Sequence, residues 1–367
     1  MLVLTELEDL YLPYKQKRVS KGEKAIEQGL KPLAIFIQKN NNNNAIEDKA
    51  YAFVKNGIEN EKEALDGAVN ILAEWIAEDK WVRDQLRNQF KRFAVGSSKV
   101  KRGKKEEGEK YKDYFDFSEK VNRMASHRVL ALFRGEKEGF INFSIDVDKE
   151  KAIENIHYKI KRNYANNLFV DKAVKESYKR ILQPNFEAEL KKEIKEKADT
   201  DSISVFAENL KQLLLQSPLG AKNILAIDPG FRTGCKVAIL NKNGDFTENT
   251  TIYPHPPQNK LEETKKTLEH LTQKHQIEAI AIGNGTAGLE TEKLCRNLFK
   301  DSDVQVFSVN EAGASIYSAS EIARDEFPEL DLTVRGAISI GRRLIDPLAE
   351  LVKIDAKSIG VGQYQHD

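Results

Sequence analysis

The sequence has few cysteines, no long apolar run and almost no net charge. Two cysteines, Cys235 and Cys295, are too few for a disulfide framework, which favours a reducing compartment, the cytoplasm. No stretch of 18 consecutive apolar residues occurs, so neither a membrane-spanning helix nor a membrane partner is expected. The first residues lack the basic flank and apolar stretch of a secretory signal. These absences exclude membrane and disulfide-rich secreted classes.

The chain is long enough for more than one core. Its 367 residues, 40% of them hydrophobic, predict two or three domains. The net charge of +1 conceals a division: up to Lys222 there are 42 Lys and Arg against 36 Asp and Glu, and from Asn223 onward 16 against 21. Such a split indicates separate roles. We therefore predict one domain over residues 1–222 and another over residues 223–367.

The first part reads as mainly helical. Apolar residues recur at helical spacing over residues 64–76 and again from Trp81 to Phe90. A long helical zone is predicted over residues 149–216, interrupted at Pro184 and at residues 199–201, and residues 140–147 alternate as a short strand does. The five asparagines at 40–44 predict a loop between helices. The first domain is thus predicted to be a helical framework.

A basic segment stands out within this framework. It begins with five cations, which are Lys99, Lys101, Arg102, Lys104 and Lys105, and aromatic residues follow at Tyr111, Tyr114, Phe115 and Phe117. Cations on a flexible loop can neutralise phosphates, and neighbouring rings can stack on bases. The alternative is an ordinary solvated loop whose rings belong to the core. The segment is a candidate nucleic-acid-binding site.

From Asn223 the pattern changes to alternating strands and helices. Strands are predicted at residues 224–228, 235–240, 246–253, 277–282 and 304–309, helices at 260–275 and 286–299, and further helix through residue 352. Three meandering strands followed by crossover units match the ribonuclease H-like fold. The expected architecture is a mainly α framework followed by an α/β, ribonuclease H-like mixed-sheet domain.

Seven segments of the chain resemble segments of a known family: residues 224–234 (ILAIDPGFRTG), 8–15, 113–116, 126–128, 130–135, 309–318 and 358–367. The family that they resemble is the Tex transcription accessory proteins of bacteria. The first of these segments is similar to the opening of the YqgF-type, resolvase-like domain of that family. The family layout implies an internal piece that lacks further N-terminal helices and C-terminal nucleic-acid-binding modules. It also implies nucleic-acid binding in transcription.

The resemblance implies a site of three acids. Asp228 ends the first strand, Glu311 follows the strand at 304–309, and Asp346 lies in the late helical stretch. In ribonuclease H-like enzymes, carboxylates at such positions converge on Mg²⁺ or Mn²⁺, which activate water for phosphodiester cleavage. The alternatives are a turn residue at Asp228, a helix-dipole contact at Glu311 and a cap at Asp346. Glu350 is an imperfect candidate for a fourth acid.

Three arginines near these acids are candidate phosphate contacts. They are Arg232, Arg342 and Arg343. Arginines on such a face can equally be structural ion-pair partners. Both interpretations stay open at the level of sequence.

Two nucleotide-binding interpretations are weighed and set aside. Residues 283–288 read G-x-G-x-x-G, with Glu311 23 residues beyond Gly288, which resembles a dinucleotide-binding motif. Three strands precede the motif and helix follows Glu311, unlike a Rossmann unit, so a tight strand-to-helix turn is preferred. Asp228-Pro229-Gly230 also fits the phosphate loop of actin-like ATPases, but no second Asp-x-Gly follows. No nucleotide cofactor is expected.

Three functions follow. The leading hypothesis is a nucleic-acid-binding scaffold for RNA, DNA or both, with transcription machinery as a further partner. The alternative is a metal-dependent nuclease or junction resolvase that uses Asp228, Glu311 and Asp346. A third hypothesis is a protein-docking role for the helices and basic loop, with a polymerase or ribosome component as partner.

Overall fold

The structure is a computed structural model that describes residues 20–55 and 57–359. The family-like segment at 8–15 and residues 360–367 of the closing segment lie outside the described residues. No described helix has the length and apolar character needed to cross a membrane. The chain divides into two compact units, Met1–Asp201 and Ser202–Asp367. This division lies earlier than the domain boundary that the charge split predicts at 222/223, which stays a prediction.

The first unit is mainly helical, as its apolar spacing predicts. Its helices are α1 (Lys21–Glu27), α2 (Lys31–Lys39), α3 (Asn43–Tyr51), α4 (Glu61–Glu78), α5 (Lys80–Phe93), α6 (Ser126–Lys137), α7 (Lys149–Ile160) and α8 (Leu168–Ser177). Helix α4 is the centre of the core, because Ile71, Leu72 and Ile76 on one face are almost fully buried. Burial of each such side chain is worth about 1.5–3 kcal/mol. Packing on α4 therefore organises the helical framework.

The asparagine tract is ordered rather than a simple loop. Helix α2 ends at Lys39, and the Asn42 side chain accepts hydrogen bonds from the first backbone N–H groups of α3. The buried Asn167 side chain donates to the carbonyl oxygens of Ile37 (2.8 Å) and Asn40 (2.7 Å). Short amide side chains favour such caps and turns. The prediction of a loop at 40–44 is therefore only correct for residues 40–42.

The late helical zone continues where interruption was expected. A short π-helical turn, Tyr178–Leu182, leads into helix α9 (Gln183–Leu214), which passes without a break through residues 199–201. Pro184 lies in the first turn of α9, where a backbone N–H is not needed for the helical ladder. The predicted interruption at 199–201 was wrong, and Pro184 begins a helix rather than ending one.

Two strands frame the basic segment. Strand β1 (Val95–Val100) lies between β2 (Asp116–Lys120) and β3 (Ile141–Asp146), and both pairings are antiparallel. Strand β3 agrees with the alternation at 140–147, but β1 and β2 were not predicted. Lys99 pairs with Asp116 on one side and Asn142 on the other. The basic segment therefore begins on a strand and continues as the connection from β1 to β2.

The second unit contains a five-stranded mixed sheet. Its elements are β4 (Ile224–Asp228), β5 (Cys235–Leu240), β6 (Phe246–Ile252), α10 (Leu261–Lys274), β7 (Ala279–Gly283), α11 (Gly288–Leu298), β8 (Gln305–Val309), α12 (Ala314–Ala319), α13 (Glu321–Glu326), α14 (Leu332–Ile345) and α15 (Pro347–Leu351). The strand order is β6-β5-β4-β7-β8. Strands β4, β5 and β6 pair antiparallel, whereas β4, β7 and β8 run parallel. This is the predicted ribonuclease H-like topology.

The two faces of this sheet carry different side chains. One face presents large aliphatic residues, such as Ile227 and Ile282, to α10 and α11. The other presents alanines, such as Ala226 and Ala281, to α14. Gly341 of α14 has no room for a Cβ, which would lie 2.8 Å from the Cβ of Ala226. Small residues on both elements thus bring α14 close to the strand end at Asp228.

Candidate functional site

Asp228 is the polar end of a buried strand. Its neighbours in β4 are fully buried, and it pairs in register with Lys236 of β5. Neither Asp228 oxygen is hydrogen-bonded to another described residue. Burial raises the pKa of Asp228 to about 6, the negative charge of Glu311 adds to that rise, and Lys236 opposes it. Asp228 is therefore a carboxylate that lacks full compensation for its charge.

Glu311 lies in the turn between β8 and α12. Its backbone N–H donates to the Asn284 side chain (3.3 Å), and the Asn284 backbone N–H donates to the Val309 carbonyl oxygen (3.0 Å). The Glu311 carboxylate lies against Gly283 and Gly285, where any Cβ would overlap it. Its Oε2 atom is buried without a hydrogen-bond partner among the described residues. The two glycines are thus required to seat this carboxylate.

Asp228 and Glu311 belong to one site. An ideal Cβ on Gly283 would collide with Glu311 Oε2 and lie 3.1 Å from Cδ of Pro229, the residue after Asp228. At this separation the negative charge of Glu311 disfavours ionisation of Asp228 and contributes to its raised pKa. Carboxylate oxygens are the ligands that Mg²⁺ and Mn²⁺ prefer. The pKa of Asp228 is raised and Oε2 of Glu311 is buried without a partner, so this carboxylate pair is not fully neutralised by the described residues, and its oxygen donors fit such an ion.

Asp346 does not join this pair. The α14 residue opposite Asp228 is Gly336, whose ideal Cβ would lie 3.1 Å from Asp228 Oδ2. Asp346 follows ten residues later, about 15 Å along the helix axis. Its side chain accepts from the Ala349 backbone N–H (3.1 Å) and caps α15. This is the capping role weighed as an alternative, and the predicted convergence of three acids needs correction for Asp346.

Few other described side chains near this pair could serve as metal ligands. Helix α14 contains no Asp or Glu. Within residues 20–55 and 57–359, no group of three or more His, Cys, Asp or Glu side chains is arranged to hold a metal ion. Glu350 of α15 is buried, and it forms an ion pair at 3.0 Å with Lys353, which lies in the turn after that helix. Asp228 and Glu311 are therefore the two acids of the predicted set that the structure brings together.

The three arginines have different surroundings. Arg232 is exposed in the turn after β4. Arg342 donates to the Gly244 carbonyl oxygen (2.9 Å) and forms an ion pair with Glu326 (2.7 Å). Arg343 is buried and donates to the carbonyl oxygens of Asn310 and Ala312, both at 2.8 Å. Arg342 and Arg343 thus serve the fold, as the structural alternative proposed, and Arg232 is accessible to a phosphate.

Arg343 also supports Glu311 indirectly. The two carbonyl groups that it binds belong to the residues on either side of Glu311. Burial lowers the pKa of Arg343, while the carboxylates of Glu350 and Glu311 oppose that shift. Arg343 therefore holds the turn that presents Glu311.

The basic segment is exposed, and its rings are not. Lys99, Arg102 and Lys105 are exposed, and no described residue forms a side-chain hydrogen bond or ion pair with them. Lys101 is half-buried, and Lys104 forms an exposed ion pair with Glu107 at 2.7 Å. By contrast, Tyr111 is buried, and Tyr114, Phe115 and Phe117 pack against the core. The cations are available to phosphates, and the packing of the rings favours the alternative in which they belong to the core.

Two residues that the sequence analysis did not single out, Lys236 and Asn284, support the acid pair. Lys236 moderates the Asp228 charge, and Asn284 fixes the backbone at Glu311. Asn284 lies within the G-x-G-x-x-G segment, so the sequence did carry a signal for this residue. The glycines of that segment leave room for the Glu311 carboxylate. The motif therefore belongs to the acid pair.

The strand order, the parallel crossovers and the acid pair at the sheet edge define the second unit as a ribonuclease H-like domain. Comparison with protein families agrees: the Tex protein YqgF-like domain matches residues 222–345, and the Tex central region-like model matches residues 41–206. The chain belongs to the Tex family. Between them the two family models cover most of both units.

Individual relatives align over almost the whole chain. It is 43% identical to Protein tex of Bordetella pertussis, covering 98% of this chain and 48% of that protein. It is 43% identical to Transcriptional accessory protein Tex of Neisseria gonorrhoeae (99% and 49%). It is 33% identical to the human S1 RNA-binding domain-containing protein 1 (99% and 38%). The chain spans about half the length, or less, of these relatives.

Proposed function

We propose that this chain is a nucleic-acid-binding scaffold of a transcription accessory factor. The observation that carries the proposal is the set of exposed cations at and beyond the end of β1, where Lys99, Arg102 and Lys105 form no ion pair with a described residue. Cations that are free of ion pairs gain most from phosphate, because binding releases condensed counterions without breaking an existing contact. Arg232 adds a further exposed cation in the second unit.

The names of two relatives support this proposal. One is called a transcriptional accessory protein, and another carries an S1 RNA-binding domain in its name. RNA, DNA or both are therefore the proposed ligands, and contact with transcription machinery is a further proposal. The cytoplasmic location predicted from the cysteine content stays a prediction.

The test is binding of short RNA and DNA measured across a salt series. We expect binding at low salt that weakens steeply as salt rises. A variant with Lys99, Lys101, Arg102 and Lys105 changed to Ala should bind more weakly, and its salt slope should fall by up to about 3 for a single strand, since each phosphate contact contributes about 0.7.

The matched control removes four lysines elsewhere in the first unit. Lys192 and Lys195 of α9 form ion pairs with Glu196 and Asp199, Lys175 lies on α8, and Lys161 lies in the turn after α7. Their Ala variant has the same net charge as the basic-segment variant. Equal weakening in both variants, or no binding by the unaltered chain at low salt, would contradict the proposal. A pull-down of proteins that survives nuclease treatment would instead favour the protein-docking hypothesis.

A metal-dependent nuclease or junction resolvase is the second candidate, and the Asp228–Glu311 pair is the observation that favours it. These two residues would hold Mg²⁺ or Mn²⁺, and a bound ion would supply an activated water. The capping role of Asp346 leaves the site one carboxylate short of the predicted set, which is why we rank cleavage second. The test is incubation of branched DNA, duplex DNA and structured RNA with each ion. Cleavage that Asp228→Asn abolishes would establish the nuclease, and intact substrates would count against it.

A further inference from the structure

A polar cleft in the first unit lies outside every site considered so far. It has a volume of about 290 Å³ and lies between α5 and α7. Four amide side chains line it, Gln85, Asn88, Gln89 and Asn155. This volume is near the lower end of the ~300–1,000 Å³ of small-ligand pockets, so it suits one compact polar group.

The amides are organised for recognition. The Asn155 side-chain NH₂ donates to the Gln89 side-chain oxygen at 3.0 Å, and Gln89 is only 8% exposed. This bond uses one donor and one acceptor. It leaves the NH₂ of Gln89 and the carbonyl oxygen of Asn155 without another partner among the described residues. The cleft therefore offers both a donor and an acceptor, the two kinds of group that the hydrogen-bonding edge of a nucleobase requires.

The remaining lining residues are a ring and two cations. Phe93, the last residue of α5, is 61% exposed, so its ring is accessible from the cleft side of the helix end. Arg92 is exposed, and Lys151 is exposed beside Asp148 at 3.4 Å. No carboxylate lines the described cleft. An open ring, amide groups and cations together fit a base and its phosphate better than an acidic peptide, which has no use for a stacking surface.

We propose that this cleft binds an unpaired nucleotide of a single-stranded nucleic acid, with the base stacked on Phe93 and the phosphate near Arg92 and Lys151. This inference rests on the proposed nucleic-acid binding and adds a position for it. Strand β1 starts two residues after Phe93 and extends about 13 Å from Val95 to Lys99, the first cation of the basic segment. One short single-stranded nucleic acid can therefore contact both the cleft and the basic segment.

The experiment measures binding of a 12-nucleotide single-stranded RNA by fluorescence anisotropy at low salt. Phe93→Ala should weaken binding about 5- to 150-fold, the range for loss of one base–aromatic stack. Phe93→Tyr should restore it, because the ring is kept. Binding of a duplex of the same sequence should be unaffected by Phe93→Ala, because its bases are already stacked.

The matched control is Trp81→Ala. Trp81 is 70% exposed at the other end of the same helix and does not line the cleft. The Trp81→Ala variant should bind the RNA as tightly as the unaltered protein does. If Phe93→Ala binds as tightly as the unaltered protein while the basic-segment variant is weakened, the cleft proposal falls and the proposed function stands. If the unaltered protein does not bind the single strand, both fall.

Discussion

The Glu311 carboxylate occupies the space that a Cβ on Gly285 would fill: that Cβ would lie 2.5 Å from Glu311 Cδ. Through this contact, the glycine-rich turn after β7 lies next to the end of strand β4, where Asp228 is located. The contact also means that two glycines, Gly283 and Gly285, determine where one of the two acids lies. The acid pair can therefore be tested without changing either acid.

Gly285→Ala should move the Glu311 carboxylate away and lower the pKa of Asp228, because the charge of Glu311 helps to raise it. The atoms displaced are at the end of a flexible side chain, so the free energy of unfolding should fall by no more than about 1–3 kcal/mol. The pKa is measured by NMR titration of the Asp228 carboxyl group.

Glu311→Gln serves as the comparison, since it removes the charge but keeps the shape. Both variants should lower the Asp228 pKa. An unchanged Asp228 pKa in both would show that the two carboxylates do not interact.

The pH dependence of stability should report Asp228 directly. Its folded-state pKa is about 6, above its ordinary value of 3.8, so the folded state keeps this proton to higher pH. The contribution of Asp228 to the free energy of unfolding should therefore decrease as pH rises from about 4 to about 6 and level off above that, and it is obtained as the difference from the Asp228→Asn variant. Urea unfolding across this range measures it.

Asp228→Asn should remove this decrease, because no buried charge forms. At pH 7 the variant should be more stable than the unaltered protein, by at most about 3 kcal/mol from a shift of about two pKa units. Mg²⁺ should stabilise the unaltered protein at pH 7 but not the variant. Parallel pH curves for the two proteins would contradict the burial of the Asp228 charge.

Asp346→Ala should cost stability without affecting cation binding. The side chain caps α15 through the Ala349 N–H, and loss of such a cap costs about 0.5–2 kcal/mol. Calorimetric titration with Mn²⁺ should give the same affinity for this variant as for the unaltered protein, whereas Asp228→Asn should lose binding. A loss of Mn²⁺ affinity in Asp346→Ala would restore Asp346 to the metal site.

Arg343→Lys should weaken the fold rather than nucleic-acid binding. The Arg343 guanidinium donates to both carbonyl groups that flank Glu311, and an ammonium group does not reproduce that planar geometry. A loss of roughly 1.5–3 kcal/mol is expected in urea unfolding. The salt slope of RNA binding should not change, and the exposed Arg232→Lys is the control for stability. A reduced salt slope in Arg343→Lys would return this residue to phosphate contact.

Much of the architecture could be read from local pattern. The strands and helices of the second unit follow from period-2 and helical spacing and from turn residues, all of which act over a few neighbours. The meeting of Asp228 and Glu311 also follows, because β4 and β8 both run parallel to β7 and parallel strands end at one sheet edge. Strands β1 and β2 were missed, since Gly, Ser and Lys in β1 give little strand signal.

By itself, the sequence determined the order of the elements, the family and the two acids at the sheet edge. Tertiary structure alone decided the rest. The position of α14 against the sheet places Gly336 opposite Asp228, and Asp346 lies at the C-terminal end of the helix, away from Asp228. Packing buries Arg343 beneath the Glu311 turn and exposes Phe93 beside a polar cleft. Helix rotation, burial and contacts between distant segments depend on the whole packed core, which no local pattern records.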